Sequence, residues 1–560
     1  MEISLNWPLV AAAVLILVLL RRFSHKKSGL DNLPGPVSAS WLTGNFQQLF
    51  DPKAWKFHES IAKTYGSTVR IHGPGLYIFD PKAMHTVLIK NQDAFGKIEG
   101  LQAMDQLIFG NGLLGTHGRH HRKQRKMLSP VFSAAHMRDM IPTFFEVSSK
   151  LEKALKNRLQ SCPQIQDIDI LSWMSRTALE LIGEAGLGYS FDPLTNDESA
   201  HPYSRIMKEL FPTVLRMQFW IMNVLPFVSR IGSASFRRFM LDLLPWKDAH
   251  HLRDMTDYIY NIAGEIFEAK KLALEKGDEV IAQQVGRGKD LISILMRENM
   301  KASGEDRLDD DEVLSQIITS TLTFAAMDTT SSAMARLLHL LSKHPEVQEK
   351  LRLELNEAKH QKQGHDFSYD ELTTLPYLDA VCRETLRLYP PAPIVSRIAI
   401  QDVVIPLSKP IAGLDGTEMY EIAVPSGTLI VLSIFNANRN LDLWGKDADE
   451  WKPDRWLSPL PEALAEARIP GIYSHLMTFL GGGHSCIGFK FSQLEMKVII
   501  SVLVENFQFS PSSKDSEIIW QMTPITAPIV GRDNHAQLPI GISLAIDKGM
   551  FTTSESYEYD

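Results

Sequence analysis

Residues 479–488 read FLGGGHSCIG and run directly into 489–507, FKFSQLEMKVIISVLVENF. Three consecutive glycines permit a tight turn and close backbone approach to something flat. The apolar spacing after Gly488 predicts a helix, which sets Cys486 at a helix N-terminus. Free backbone N–H groups and the helix dipole favour a thiolate there, and the thiolate is the form of cysteine that binds metals. A lone cysteine in a glycine-rich turn is ordinarily an inert buried thiol, so its surroundings have to decide.

Those surroundings resemble the cytochrome P-450 signature F-x-x-G-x-R-x-C-x-G, with Phe479, Gly482, Cys486 and Gly488 in register. The resemblance implies that Cys486 is the axial ligand of a haem iron, to which a thiolate pushes electron density. His484 stands where the family's arginine contacts a haem propionate, and it retains a hydrogen-bond donor.

Other elements follow in the expected order. Glu384 and Arg387, in LDAVCRETLRLYPPAP (378–393), lie three apart on one helix face. Alone this is a weak signal, since a solvated ion pair explains it equally well. The proline-rich stop at Pro390, Pro391 and Pro393 adds weight. The resemblance implies a structural triad completed by Arg455 in WKPDRW (451–456). Upstream, AAMDTT (325–330) interrupts an apolar helical stretch with side chains that compete for backbone hydrogen bonds. It resembles the family's [AG]-G-x-[DE]-T element, which implies that Asp328 and Thr329 relay protons beside a widened helical groove. Ala326 replaces the usual glycine. In GLLGTHGRHHRKQRKMLSPVF (112–132), Arg125 fits a propionate-binding arginine, whereas His121 replaces the usual tryptophan. Arg397 resembles a further propionate ligand. The cluster Arg119, Arg122, Lys123, Arg125 and Lys126 reads either as a solvated face or as a reductase-docking surface.

The chain has 560 residues, 44% apolar and 22% charged, with a net charge of −8, so nothing global suggests nucleic acid. Three cysteines, Cys162, Cys382 and Cys486, are too few and too scattered for a disulfide framework or a Cys-x-x-Cys zinc site. Residues 5–20, LNWPLVAAAVLILVLL, precede Arg21, Arg22, Lys26 and Lys27. An apolar run of about 18 residues with basic residues after it predicts a single-pass anchor, with the remainder on the cytoplasmic side. A cleaved signal peptide would carry its basic residues before the run.

The expected organisation is an anchor over 1–24, a basic and proline-rich linker over 25–36, a haem-binding monooxygenase domain over 37–545 and a polar tail over 546–560. The fold class is mostly α with a small β portion. Helical patterns cover 134–160, 166–187, 246–276, 309–342, 345–360 and 488–505. Strand patterns cover a hairpin over 66–81, turning at Pro74-Gly75, and 394–405 and 426–433.

The resemblance further implies haem b as cofactor and electrons from NADPH through cytochrome P-450 reductase, with a cytochrome b-type donor beside it. It implies a home on the endoplasmic reticulum membrane. Substrate-facing regions map to 97–111, 207–226, the middle of 309–342, 391–396 and 521–528. The apolar, Met-containing stretch 207–226 suits a lipophilic substrate, a membrane-dipping helix or plain core. The sequence style points to a terpenoid or triterpenoid of fungal secondary metabolism, with a fatty acid or aromatic polyketide as alternatives. A reductase-independent haem-thiolate isomerase or dehydratase, and a haem sensor, are the competing classes; Asp328 and Thr329 argue against both.

Overall fold

The computed structural model describes residues 29–545 except 41–42, 72–74, 161–164, 196–200, 278–284, 287, 319–323 and 534. The expected anchor, the tail, Cys162 and the Pro74 half of the hairpin turn lie outside the described residues. Among the described residues no helix is long and apolar enough to cross a membrane.

Apolar side chains at helical spacing build the larger core. Its main helices are α1 (Glu99–Phe109), α2 (Gly118–Leu128), α3 (Ala134–Gln160), α4 (Ile170–Leu181), α5 (Pro202–Arg216), α6 (Lys247–Lys276), α7 (Phe324–Lys343), α8 (Pro345–Gln361), α9 (Pro376–Leu388) and α10 (Phe489–Asn506). In α3, Met137, Met140, Phe144, Val147, Leu151 and Leu155 repeat every three or four residues and all are buried. Phe144 meets Phe491 of α10 edge to face at 5.0 Å. Losing such a buried ring costs about 3–5 kcal/mol. α10 is buried nearly all round, and α7 packs along α4 and α10.

The smaller core is a mixed sheet of β1 (Thr68–Ile71), β2 (Gly75–Ile78), β3 (Phe95–Gly96), β5 (Ile394–Ala399) and β8 (Leu429–Ser433), in the order β1-β2-β8-β5-β3. β2 is buried on both faces and runs parallel to β8; the other pairs are antiparallel. A hairpin pairs β6 (Val403–Ala412) with β7 (Glu418–Val424). Two further groups sit on the helical body: β4 (Gln166–Asp169) with β9 (Phe507–Pro511) and β12 (Pro539–Leu544), and β10 (Ile518–Gln521) with β11 (Ala527–Val530).

The structure corrects several sequence expectations. The stretch 166–187 begins as a strand, because QDID alternates and pairs with β12 before Asp169 caps α4. It ends in a wider helical turn, Ile182–Leu187, closed by left-handed Gly188. The described part of the expected linker is docked on the sheet: Leu30 and Leu33 are buried, and a Cβ on Gly35 would lie 1.9 Å from the Arg70 carbonyl. Residues 29–36 therefore belong to the body. Cys382 is fully buried in α9, where burial pushes its thiol to about 12 and leaves it inert.

Candidate active site

The glycines before Cys486 serve the protein's own backbone. Gly482 adopts φ +72°, and a Cβ there would sit 1.9 Å from the Leu88 carbonyl; one on Gly481 would sit 1.9 Å from that of Pro470. The Gly483 N–H donates to Gln92 Oε1 at 3.0 Å. These contacts by themselves require small residues at the three positions. Phe479 is buried against Tyr473 and Phe489, and the Cys486 N–H donates to its carbonyl at 2.9 Å. α10 starts at Phe489 with Gly488 as its cap, so Cys486 lies just outside the first turn.

Cys486 has an accessible side chain, yet the protein around it is dense enough that burial pushes its thiol up. The Gly488 N–H and the Arg125 guanidinium oppose this shift without overcoming it. A positive charge bound at Sγ would add to these two groups in favouring the thiolate. A group that water reaches but dense protein surrounds lines an internal cavity. Asp328, Arg397 and His484 have the same character, being partly accessible yet shifted mainly by burial.

One edge of this cavity gathers cations and imidazoles from distant parts of the chain. His121, buried in α2, lies against His484 with ring centroids 4.1 Å apart and planes tilted by 36°. Burial lowers His121 to about 4 and His484 to about 3, with neighbouring positive charges adding to both shifts. Among the described residues Arg397 donates only to the Ser396 carbonyl, at 2.9 Å, and pairs with no carboxylate; burial lowers it to about 10. Lys97 and His117 add to the positive field, and Asp105, 2.6 Å from Lys97, is the acid set among them. Arg125 is turned inward, donating to Ser485 O at 2.6 Å and Ser485 Oγ at 2.9 Å. Such an edge is short of anions. It fits a planar group that carries two carboxylates on one side and a metal above Cys486, as haem does.

On α7, Thr329 Oγ1 donates to the Ala325 carbonyl at 2.5 Å, which leaves its lone pairs free to accept. α7 runs continuously from Phe324, and residues 319–323, the turn before Ala326 where the expected groove would open, lie outside the described chain. Burial raises Asp328 to about 6, opposed by the charge of Lys208 on α5.

Behind the cysteine loop, Glu384 and Arg387 are fully buried and joined by two bonds of 2.8 Å. Arg455 reaches Glu384 at 3.3 Å, and Trp456 Nε1 donates to it at 2.9 Å. Arg387 also donates to the carbonyls of Asn438, Ala448 and Glu450. The three residues thus tie α9 to the segment that leads towards the cysteine. On α2, Arg122 pairs with Asp93, Lys126 with Asp306, and Lys123 donates to the Arg307 carbonyl, so much of that basic face is already engaged.

Lys97, His117, Ser485 and Lys208 escaped sequence reading. They stand far apart in the chain and carry no local pattern.

Fold and site together fit a haem protein held by a cysteine, with an acid and an alcohol carried on α7. The cytochrome P450 family model matches residues 34–530. Cytochrome P450 monooxygenase 91 of Postia placenta is 49% identical over 529 residues, covering 94% of this chain and 95% of the relative. Ganoderic acid synthetase CYP5150L8 of Ganoderma lucidum is 43% identical over 531 residues, 94% and 96% of the two chains. Cytochrome P450 monooxygenase 81 of Postia placenta is 45% identical over 540 residues, 96% and 97%. The chain belongs to the cytochrome P450 family, as a monooxygenase of the fungal type.

Proposed function

We propose that the protein binds haem b through Cys486 Sγ and inserts one atom of dioxygen into a lipophilic small molecule, a terpenoid first of all. The observation that carries this reading is the accessible but enclosed thiol of Cys486 beside an anion-poor edge built from Arg397, Arg125, His121 and His484. Haem held by a thiolate supplies the dioxygen activation and the oxidation of a C–H bond. The protein does the rest. Gly488 N–H and Arg125 steady charge on Sγ, Arg397 and His484 receive the propionates, and Asp328 takes and releases a proton at its carboxylate. Thr329 Oγ1 accepts the next hydrogen bond in that relay, and the apolar lining keeps the cavity dry.

Electrons from NADPH arrive through a membrane-bound reductase, with a cytochrome b-type protein as a further donor, at the face around the exposed Arg119. Residues 1–24 anchor the chain in the endoplasmic reticulum, with the catalytic body on the cytoplasmic side. A second membrane contact is supported by exposed Phe219, Trp220, Phe227, Ile231, Phe236 and Phe239, interspersed with Arg230, Arg237 and Arg238. The terpenoid assignment draws on the relative named a ganoderic acid synthetase. A long-chain fatty acid or an aromatic polyketide is the alternative for the same chemistry.

Microsomes that contain the chain and a reductase, screened against terpenoids and fatty acids, test this reading. The product is expected only when NADPH, reductase and dioxygen are all present, with one atom of labelled dioxygen incorporated. Product formed without reductase or dioxygen would establish the isomerase or dehydratase class instead.

A further inference from the structure

Arg336 lies on α7 eight residues beyond Asp328, about 12 Å along the helix axis at 1.5 Å per residue. It is a cation without a counterion. Among the described residues it makes no ion pair and no hydrogen bond, and its Nε is sealed from solvent with no acceptor. Both faces of the guanidinium are covered: Cζ stands 3.5 Å from the Trp520 ring centroid and 4.3 Å from that of Tyr389. Trp520 is fixed in turn. Its Nε1–H donates to His339 Nδ1 at 3.1 Å, its carbonyl accepts from Trp55 at 2.7 Å, and His339 Nε2 holds Asp515 at 2.9 Å. Arg439, over the Tyr389 ring, adds a like charge, although its own donors are spent on Leu388 and Asp449. Burial lowers Arg336 to about 9, so it stays charged at neutral pH.

An unpaired charge in such a setting is costly. Two cation–π contacts, at about 0.5–2 kcal/mol each, offset only part of that cost. What stays free is the edge. The side chain is partly accessible, and only Nε among its nitrogens is sealed, so Nη1 and Nη2 border open space.

That edge lies at the roots of two segments already mapped as substrate-facing. Tyr389 leads into Pro390-Pro391, and Trp520 leads into Gln521. Ser332, one turn before Arg336, donates to the Thr526 carbonyl at 2.6 Å, and the Thr526 N–H donates to that of Pro391 at 2.8 Å. A guanidinium covered on both faces, with two parallel N–H groups presented along one edge, matches a carboxylate better than any neutral acceptor.

We propose that Arg336 is the receptor for a carboxylate on the substrate, which holds an amphipathic acid by the end remote from the carbon to be oxidised. The proposal rests on the monooxygenase reading above and narrows its lipophilic substrate to an acid of terpenoid or long-chain size.

The test uses the purified, haem-loaded full chain in spectral binding titrations. The probes are a pentacyclic triterpenoid acid and stearic acid, each beside its methyl ester. For at least one pair the acid is expected to bind about tenfold more tightly than the ester, the usual gain of a charge-assisted bidentate contact. In Arg336→Gln the acid falls to within about twofold of its ester, while ester binding and haem content are unchanged and the melting temperature does not fall. Arg336→Lys, a point charge without the planar edge, restores only part of the preference. Should Arg336→Gln fail to load haem, Arg336→Lys and the wild-type acid–ester comparison carry the test. Equal binding of acid and ester by the wild type in both pairs, or an acid preference that survives undiminished in the variant that folds, would overturn the proposal. The monooxygenase reading fails separately, if no probe gives a product dependent on NADPH and dioxygen.

Discussion

Glu384→Ala is expected to yield a chain that retains almost no haem and melts far below the wild type. Glu384 is fully buried and accepts from Arg387, Arg455, the Lys452 N–H and Trp456. Removing it leaves the buried Arg387 guanidinium uncompensated, at a cost of about 3–5 kcal/mol. Domains are typically stable by only about 5–15 kcal/mol, so the loss is a large share of the whole. The strain falls where α9 meets residues 438–456, the scaffold beneath the cysteine loop. Glu384→Gln preserves the shape and some of the hydrogen bonds, and is expected to lie between the two. Haem per protein and a thermal melt read the result; a Glu384→Ala protein that melts like the wild type would remove the triad from the account.

Asp328→Asn is expected to lose activity and gain stability. Product formation falls by about 10²- to 10⁴-fold, the range of a positioned proton donor, while NADPH oxidation continues unproductively. The stability change has a defined sign. Burial raises Asp328 from 3.8 to about 6, so between those values the native state binds a proton that the unfolded chain has released. Ionising the folded carboxyl therefore costs stability, nothing below pH 4 and the full amount above pH 6. The variant should melt higher than the wild type at pH 7 and level with it at pH 4. An equal gain at both values would place the effect in packing instead. Wild-type turnover should show a limb near pH 6 that the variant lacks. Thr329→Ala removes the hydroxyl that binds the Ala325 carbonyl and is expected to uncouple turnover in the same direction, with less effect on the pH profile.

What the sequence made legible depended on how local each signal was. The helix after Gly488 and the buried repeat of α3 follow from spacing alone. The pairing of Glu384 with Arg387 follows from three residues on one helix. That Arg455 joins them needed the family resemblance, because a fold of some 70 residues separates the partners. Of the ring around His121, Arg397 and His484 the resemblance supplied those three, whereas Lys97 and His117 were beyond reading, since tertiary packing alone brings them there. β4 was hidden inside a helical pattern because its four residues take their conformation from β12, 370 or more residues away. The glycines at 481–483, read as room for a flat partner, also make room for the carbonyls of Leu88 and Pro470 and the Gln92 amide, which the sequence could not show. Arg336 carried no signal at all: an arginine in an amphipathic helix looks solvated until Trp520 and Tyr389 close over it.

The sulfur of Cys486 as the iron's ligand is the claim on which the rest stands, and a ferrous–carbon monoxide difference spectrum of the purified protein addresses it directly. The wild type should give the red-shifted absorption band of a thiolate-ligated haem, and Cys486→Ala should abolish that band together with most bound haem. A Cys486→Ala protein with full haem content and an unchanged band would contradict the account.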